Sequence, residues 1–252
     1  MIKFENVETL GWEHAIRGMR NPMNSWEKSD SEYCHGASAT CDMCYKAPND
    51  PYEPCYLAES SIGRTYAVGL NDFVLMKCLR SAGPDHRKFM RMITVYADIT
   101  APLYWWKEFD TYKVGTVANS CSTMHKIAAK EFDVNDFSHE HIEELDGDEY
   151  NMSYDWLLRT VDILNYYRQK YIEAQKKPMK EEVKRAGVVK QYWWQMIQLL
   201  PSSYNQKRTV MLNYEVLANI YKSRKTHKLD EWRDFSAWIE TLPYSEIITN
   251  RT

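Results

Sequence analysis

Residues 101–125, A-P-L-Y-W-W-K-E-F-D-T-Y-K-V-G-T-V-A-N-S-C-S-T-M-H, contain the sharpest change of character in the chain. The first half reads as an aromatic helix. Pro102 suits a first helical turn, where a missing N–H goes unused, and Thr100 is placed to cap it. Leu103, Trp106 and then Phe109 or Asp110 recur at helical spacing. After Lys113 the residues turn small: Gly115, Thr116, Ala118, Asn119, Ser120, Cys121, Ser122 and Thr123. Such a stretch reads as a loop that lets a ligand approach backbone and hydroxyl groups closely, as phosphates and flat rings require. By its residues alone it reads equally well as a packed helix followed by an ordinary turn.

Before this stretch, residues 1–26 form a polar-aromatic segment with turn chemistry at Asn21-Pro22 and Asn24-Ser25, and 27–68 read as an irregular, Cys-rich insertion. Asn71 or Asp72 is placed to cap a helix with Phe73, Met76, Cys78 and Leu79 inward, stopped by Gly83. Residues 88–99 alternate as a strand, with Phe89, Arg91, Ile93, Val95 and Ala97 on one face. After it, 131–150 are acidic and loop-like, and a helix is expected from Tyr154 to Ala174 with Leu157, Val161, Leu164 and Tyr171 on one face. Lys176-Lys177-Pro178 ends that helix, and the charged residues at about 175–188 read as a solvated excursion. Trp193, Ile197 and Leu200 start a further helix that Pro201 stops. Two final helices are expected at 207–224 and 228–240, the second with Leu229, Trp232, Phe235 and Ile239 inward. The sum is an α+β fold, a small antiparallel sheet with several long helices, in one domain spanning 1–252.

At 252 residues the chain can bury a real core, and its 44% apolar and 27% charged residues match a soluble globular protein. A net charge of −3 with no long basic tract argues against a nucleic-acid partner. No segment approaches the ~20 apolar residues of a membrane span, and Met1-Ile2-Lys3-Phe4-Glu5 leads into no apolar signal sequence. A cytoplasmic, reducing location is therefore expected, with the six cysteines free of disulfides.

Three blocks of residues resemble the flavin-dependent thymidylate synthases. That family's signature places R-H-R after a helix that starts near Ala-Pro, then a Ser seven residues on, with an Asn three before the Ser. Here Ala101-Pro102 precede Thr111-Tyr112-Lys113, and Asn119 and Ser122 keep the Asn-to-Ser spacing with one extra residue after Lys113. Upstream, Ala82-Gly83-Pro84-Asp85-His86 sets His86 at the family's distance from Pro102. Downstream, Leu200-Pro201, Asn213, Asn219 and Arg224 follow the family's Leu-Pro, two Asn and Arg on one long helix, without a gap. The likeness covers roughly 72–240.

The resemblance implies a flavin-dependent transfer of a one-carbon unit from methylenetetrahydrofolate to C5 of a pyrimidine deoxynucleotide, most simply dUMP to dTMP. FAD is then the cofactor, NADPH the reductant and a homotetramer the assembly. It implies Arg224 at the pyrimidine ring and Ser122 beside it as the catalytic pair, and His86, Lys113, Asn119, Asn213 and Asn219 around the flavin. A guanidinium fork suits a planar pyrimidine edge, although as a residue alone Arg224 is also a cation favoured at a helix C-terminus. The chain departs from the family at Ser120 and Met124, where a Glu and an Arg are expected, and at Thr111-Tyr112-Lys113. Lys113, His125 and Lys126 are the cations left to hold a phosphate by a different route. Two alternatives fit these departures: a member that binds flavin or nucleotide without catalysis, and one that hydroxymethylates or takes a cytosine nucleotide. Cys121 in the loop is either a nucleophile toward pyrimidine C6 or a small packed residue.

Cys34, Cys41, Cys44 and Cys55 form one C-x-x-C with two outlying thiols, a pattern that suits a structural zinc in a segment with few apolar residues of its own. Elemental analysis of protein kept reduced is expected to find one zinc per chain. A yield below about a tenth of an equivalent excludes the site.

Overall fold

A computed structural model of the chain describes residues 1–33, 66–144, 152–176 and 182–250. Strand β1 (Lys3–Leu10) and helix α1 (Trp12–Arg20) come first, and the short strands β2 (Glu32–Tyr33) and β3 (Tyr66–Ala67) pair antiparallel. Then come α2 (Leu70–Ser81), β4 (Thr94–Pro102), α3 (Leu103–Phe109), β5 (Thr116–Ser120), α4 (Thr123–Lys126) and α5 (Glu140–Glu144). The long helices α6 (Met152–Lys176) and α7 (Glu182–Leu199) lead to β6 (Asn205–Asn213), α8 (Tyr214–Arg224), α9 (Asp230–Glu240) and α10 (Glu246–Thr249). The main sheet has the order β1-β4-β6-β5. The architecture is the expected α+β one, helix-rich around a small antiparallel sheet.

The chain divides into two compact units. Unit one comprises Met1–Glu5, Asp98–Thr111 and Ala118–Thr209, and unit two Asn6–Ala97, Tyr112–Val117 and Val210–Thr252. Each holds a stretch of all four main strands.

In unit one, α6 and α7 pack on each other over a core of Ile127, Phe132, Phe137, Leu157, Val161, Leu164 and Met196. Helix α3 adds Trp105, Trp106 and Phe109, stacked or edge-on at 4.8–5.1 Å. The Trp106 indole N–H is satisfied by the Gln206 carbonyl at 2.8 Å. Pro102 does not open this helix. Strand β4 continues through Ala101 and Pro102, and Pro102, extended at ψ 151°, precedes the first helical residue. The amides of Leu103 and Tyr104, orphaned at the helix start, donate to the carbonyls of Tyr204 and Ser202 at 3.0 Å. The charged stretch expected as an excursion becomes helical by Glu182, and Pro201 follows the end of α7 as expected.

In unit two, α8 packs against α9 and α10, and the Trp12 ring meets Tyr214 and Tyr244 edge-on at 5.2 and 4.9 Å. The Tyr214 hydroxyl donates to the Pro243 carbonyl at 2.5 Å, and burial pushes it well above the usual phenol range. Trp232, Phe235 and Ile239 are buried as their spacing predicts. The strand expected at 88–99 begins only at Thr94, because Pro84 opens a run of 3-10 turns to Arg91. Residues 207–213, expected as helix, are strand instead. Cys78 is exposed, not inward.

Asp72 is not a helix cap. It is fully buried inside the first turn of α2, where its carboxylate accepts from Arg20 Nε and the Ser29 and Ser31 hydroxyls, all at 2.6 Å. Arg20, itself buried, spends its other N–H groups on the carbonyls of Ser25 and Lys28. One ion pair thus ties α1, α2 and the 25–31 segment together. Removing one partner of such a pair leaves a buried charge unmatched, at a cost of about 3–5 kcal/mol. Asp72→Ala is accordingly expected to lower the unfolding free energy by that amount, seen as a lower urea midpoint at constant m-value, and an unchanged midpoint refutes the role.

Candidate functional site

Of the residues singled out by sequence, Asn213, Asn219 and Arg224 lie along α8 in unit two and Ser122 lies in unit one. In unit two the anchor is the turn from β6 into α8. Asn213 ends the strand, and its side-chain oxygen accepts from the Val216 N–H at 2.9 Å, capping the helix. Opposite it, Gly115 adopts φ +77°, and a Cβ there would overlap the Asn213 amide nitrogen. Only glycine serves at that position, on both counts.

At the far end of α8, Arg224 is half-buried in an aromatic setting. Its guanidinium carbon lies 4.8 Å from the Trp232 ring centre and 5.8 Å from that of Tyr112. Its Nε donates to the Tyr112 hydroxyl at 2.9 Å, and Nη1 lies 3.0 Å from His227 Nε2. The relay continues along the helix: the Tyr112 hydroxyl meets Ser223 Oγ at 3.2 Å, and Ser223 donates to the Asn219 carbonyl at 2.9 Å. With Ser223 spent as a donor there, Tyr112 is the donor to it. Tyr112, Ser223, His227 and Trp232 were not singled out as site residues from the sequence, where Trp232 read only as an inward residue of its helix. For Tyr112 the one signal was its place where the resemblance expects the middle of R-H-R. The Asn219, His86 and Lys113 side chains are exposed, on α8, in the 3-10 run and ahead of β5.

In unit one, Asn119 is exposed on β5, so the stretch expected to be a loop is a strand as far as Ser120. Ser122 caps α4, its hydroxyl oxygen accepting from the His125 N–H at 3.1 Å. Ser122 also lines a cavity of about 340 Å³ with Cys121, Thr123, Lys126, Tyr204 and Gln206 among its walls. Gln206, nearly buried, donates to the Cys121 carbonyl at 3.0 Å, and the Cys121 N–H donates to the Lys207 carbonyl at 2.9 Å, fixing the Cys121 backbone. Burial raises the Tyr204 hydroxyl above the usual phenol range, and the neighbouring Asp136 and Cys121 push the same way, so it stays a donor at neutral pH.

Cys34, Cys41, Cys44 and Cys55 lie outside the described residues, among which no group of three or more His, Cys, Asp or Glu is placed to hold a metal ion. No helix among the described residues is long and apolar enough to cross a membrane.

No protein-family model matches the sequence, and no curated protein matches it significantly. Solved structures do share its fold. Thymidylate synthase X (ThyX) from Helicobacter pylori, in a crystal structure with FAD and dUMP, has a TM-score of 0.57 at 12% identity, covering 99% of this chain and 98% of that one. A second structure of the Helicobacter pylori flavin-dependent enzyme, complexed with FAD and dUMP, gives 0.55 at 14% identity, covering 98% and 99%. The likeness at these identities is one of fold.

The Gly115–Asn213 contact gives a direct test. Gly115→Ala combines a left-handed backbone with displacement of a cap worth about 1 kcal/mol, so a loss of about 2 kcal/mol is expected in chemical denaturation. Asn213→Asp, which keeps the capping oxygen, should cost far less than Asn213→Ala. Equal losses for the two overturn the cap assignment.

Proposed function

We propose that the chain is a flavin-dependent enzyme that transfers a one-carbon unit from methylenetetrahydrofolate to C5 of a pyrimidine deoxynucleotide, most simply dUMP to dTMP. The observation that carries this reading is the setting of Arg224. A guanidinium clamped through Nε by Tyr112 and packed on two rings loses little entropy when it pairs with a flat, carbonyl-bearing ring. The full-length likeness of fold to ThyX enzymes crystallised with FAD and dUMP supports it.

Hydrogen bonds from Arg224 to the pyrimidine carbonyls favour charge on the ring oxygens, which makes C5 the nucleophile toward the one-carbon unit. The Ser122 O–H, whose oxygen already accepts from His125, is left to donate to a nucleotide oxygen. For FAD the donors fit in kind. Lys113 offers a cation for a pyrophosphate, and the exposed His86, Asn119 and Asn219 offer polar groups. The Asn213 oxygen is committed to the cap, leaving its amide nitrogen. Bound FAD, reduced by NADPH, would supply the hydride that converts the transferred methylene to methyl. The exposed apolar side chains Met152, Trp156, Ile163 and Leu199 offer surface for the homotetramer that the resemblance implies.

A second reading, binding of flavin or nucleotide without catalysis, is favoured by one observation. Tyr112 is committed to Arg224 and Ser223, so the altered triplet contributes only Lys113 as a free-standing cation.

The purified protein is expected to be yellow, with a flavin spectrum bleached by NADPH. Bleaching without methyl transfer to dUMP or dCMP supports the second reading, and colourless protein that takes up no added FAD refutes both flavin readings. Arg224→Lys keeps the charge and loses the fork, so a ten- to hundredfold weakening of nucleotide binding or turnover is expected with FAD retained, from the roughly 1.5–3 kcal/mol of a charged hydrogen bond. Ser122→Ala should be milder, at about 0.5–1.5 kcal/mol. Parent-like behaviour of Arg224→Lys makes α8 scaffold only.

A further inference from the structure

We propose that the cavity in unit one binds a phosphate monoester dianion, and that Lys126 is the cation that receives it. This deepens the function proposed above by assigning the phosphate end of the nucleotide. Four lysines line the cavity: Lys3, Lys126, Lys130 and Lys207. Three of them are already neutralised. Lys3 pairs with Glu5 at 3.0 Å, Lys207 with Glu5 at 3.1 Å and Asp98 at 3.4 Å, and Lys130 with Asp136. The Lys126 ammonium has no ion pair or side-chain hydrogen bond among the described residues. The cavity therefore carries one uncommitted positive charge, surrounded by groups that donate to oxygen. The Ser122 hydroxyl has its proton to give, because its oxygen already accepts from His125, and the Tyr204 hydroxyl stays protonated. Thr123 adds a third hydroxyl to the lining. At about 340 Å³ the space suits a small ligand, and Ile127 and Phe132 provide an apolar wall beside the polar one. A phosphate monoester, with close to two negative charges and three acceptor oxygens at neutral pH, matches one ammonium and a set of hydroxyl donors.

Calorimetric titration with dUMP, deoxyuridine and inorganic phosphate separates the contributions of phosphate and ring. In the parent protein dUMP is expected to bind more tightly than deoxyuridine, with inorganic phosphate as a weak competitor. Lys126→Gln should weaken dUMP about ten- to hundredfold while leaving deoxyuridine within about threefold, and Lys126→Arg should restore most of the loss. The double change Lys130→Gln with Asp136→Asn, which removes an already neutralised pair together, should stay within about threefold of the parent for dUMP. Parent-like binding of dUMP by Lys126→Gln, or an equal loss for dUMP and deoxyuridine, overturns the proposal. A methylation assay on the same proteins distinguishes its failure from that of the function. If Lys126→Gln turns over dUMP like the parent, the function stands and Lys126 falls. If dUMP binds through Lys126 without turnover, Lys126 stands and the function falls. A parent that binds none of the three ligands ends both.

Discussion

The turn at Asn213 governs unit two. A chain leaving a strand for a helix has unsatisfied amides at the helix start, and here one side-chain oxygen meets one of them. The neighbouring Tyr214 N–H is satisfied by the Ile93 carbonyl at 3.0 Å, so the same turn is tied back to the chain ahead of β4. The approach is so close that Gly115 must lack a side chain and adopt a left-handed backbone. Once that turn is set, the phase of α8 follows. The helix buries Tyr214, Leu217, Ala218, Ile220 and Tyr221, and delivers Arg224 to Tyr112 one end later. A sequence change at Gly115 would thus act on Arg224 through eleven residues of helix, without touching it.

Where side chains repeat on one face, the fold was legible. Trp232, Phe235 and Ile239 needed no tertiary information, nor did Leu157, Val161 and Leu164 on α6. The strand β6 was not legible, and its reason is specific. Its inward row carries Gln206 where an aliphatic residue would have marked alternation, and the next residue but one, Arg208, stacks its guanidinium on the Trp106 ring at 4.3 Å. Gln206 is buried because the Cys121 carbonyl needs its amide. A polar residue whose partner lies over eighty positions away looks like a surface residue until the partner is known.

The same limit applied to the candidate site. Spacing singled out Arg224, Ser122 and the asparagines as candidates, because position along the chain is what a sequence displays. It did not pick out Tyr112, whose importance lies in a hydrogen bond across 112 positions, or the neutralised state of three cavity lysines. Charge in a sequence is a count. Charge in a cavity is what remains after pairing, and pairing is a tertiary property. Asp72 shows the converse, since its position at the head of a helix invited a cap and its burial made it a counter-ion.

These observations give a physical meaning to the altered triplet Thr111-Tyr112-Lys113. Tyr112 stands where R-H-R has its histidine, and there it offers an accepted hydrogen bond and a ring face, both of which hold the Arg224 guanidinium in one orientation. Thr111 stands where that pattern has its first arginine, so one cation fewer is available to an anionic ligand. On the reading proposed here, the compensation is a lysine ammonium, a compact point charge on a flexible stem, in place of a fixed fork. Such a group pairs with phosphate oxygens in several geometries and selects weakly among them.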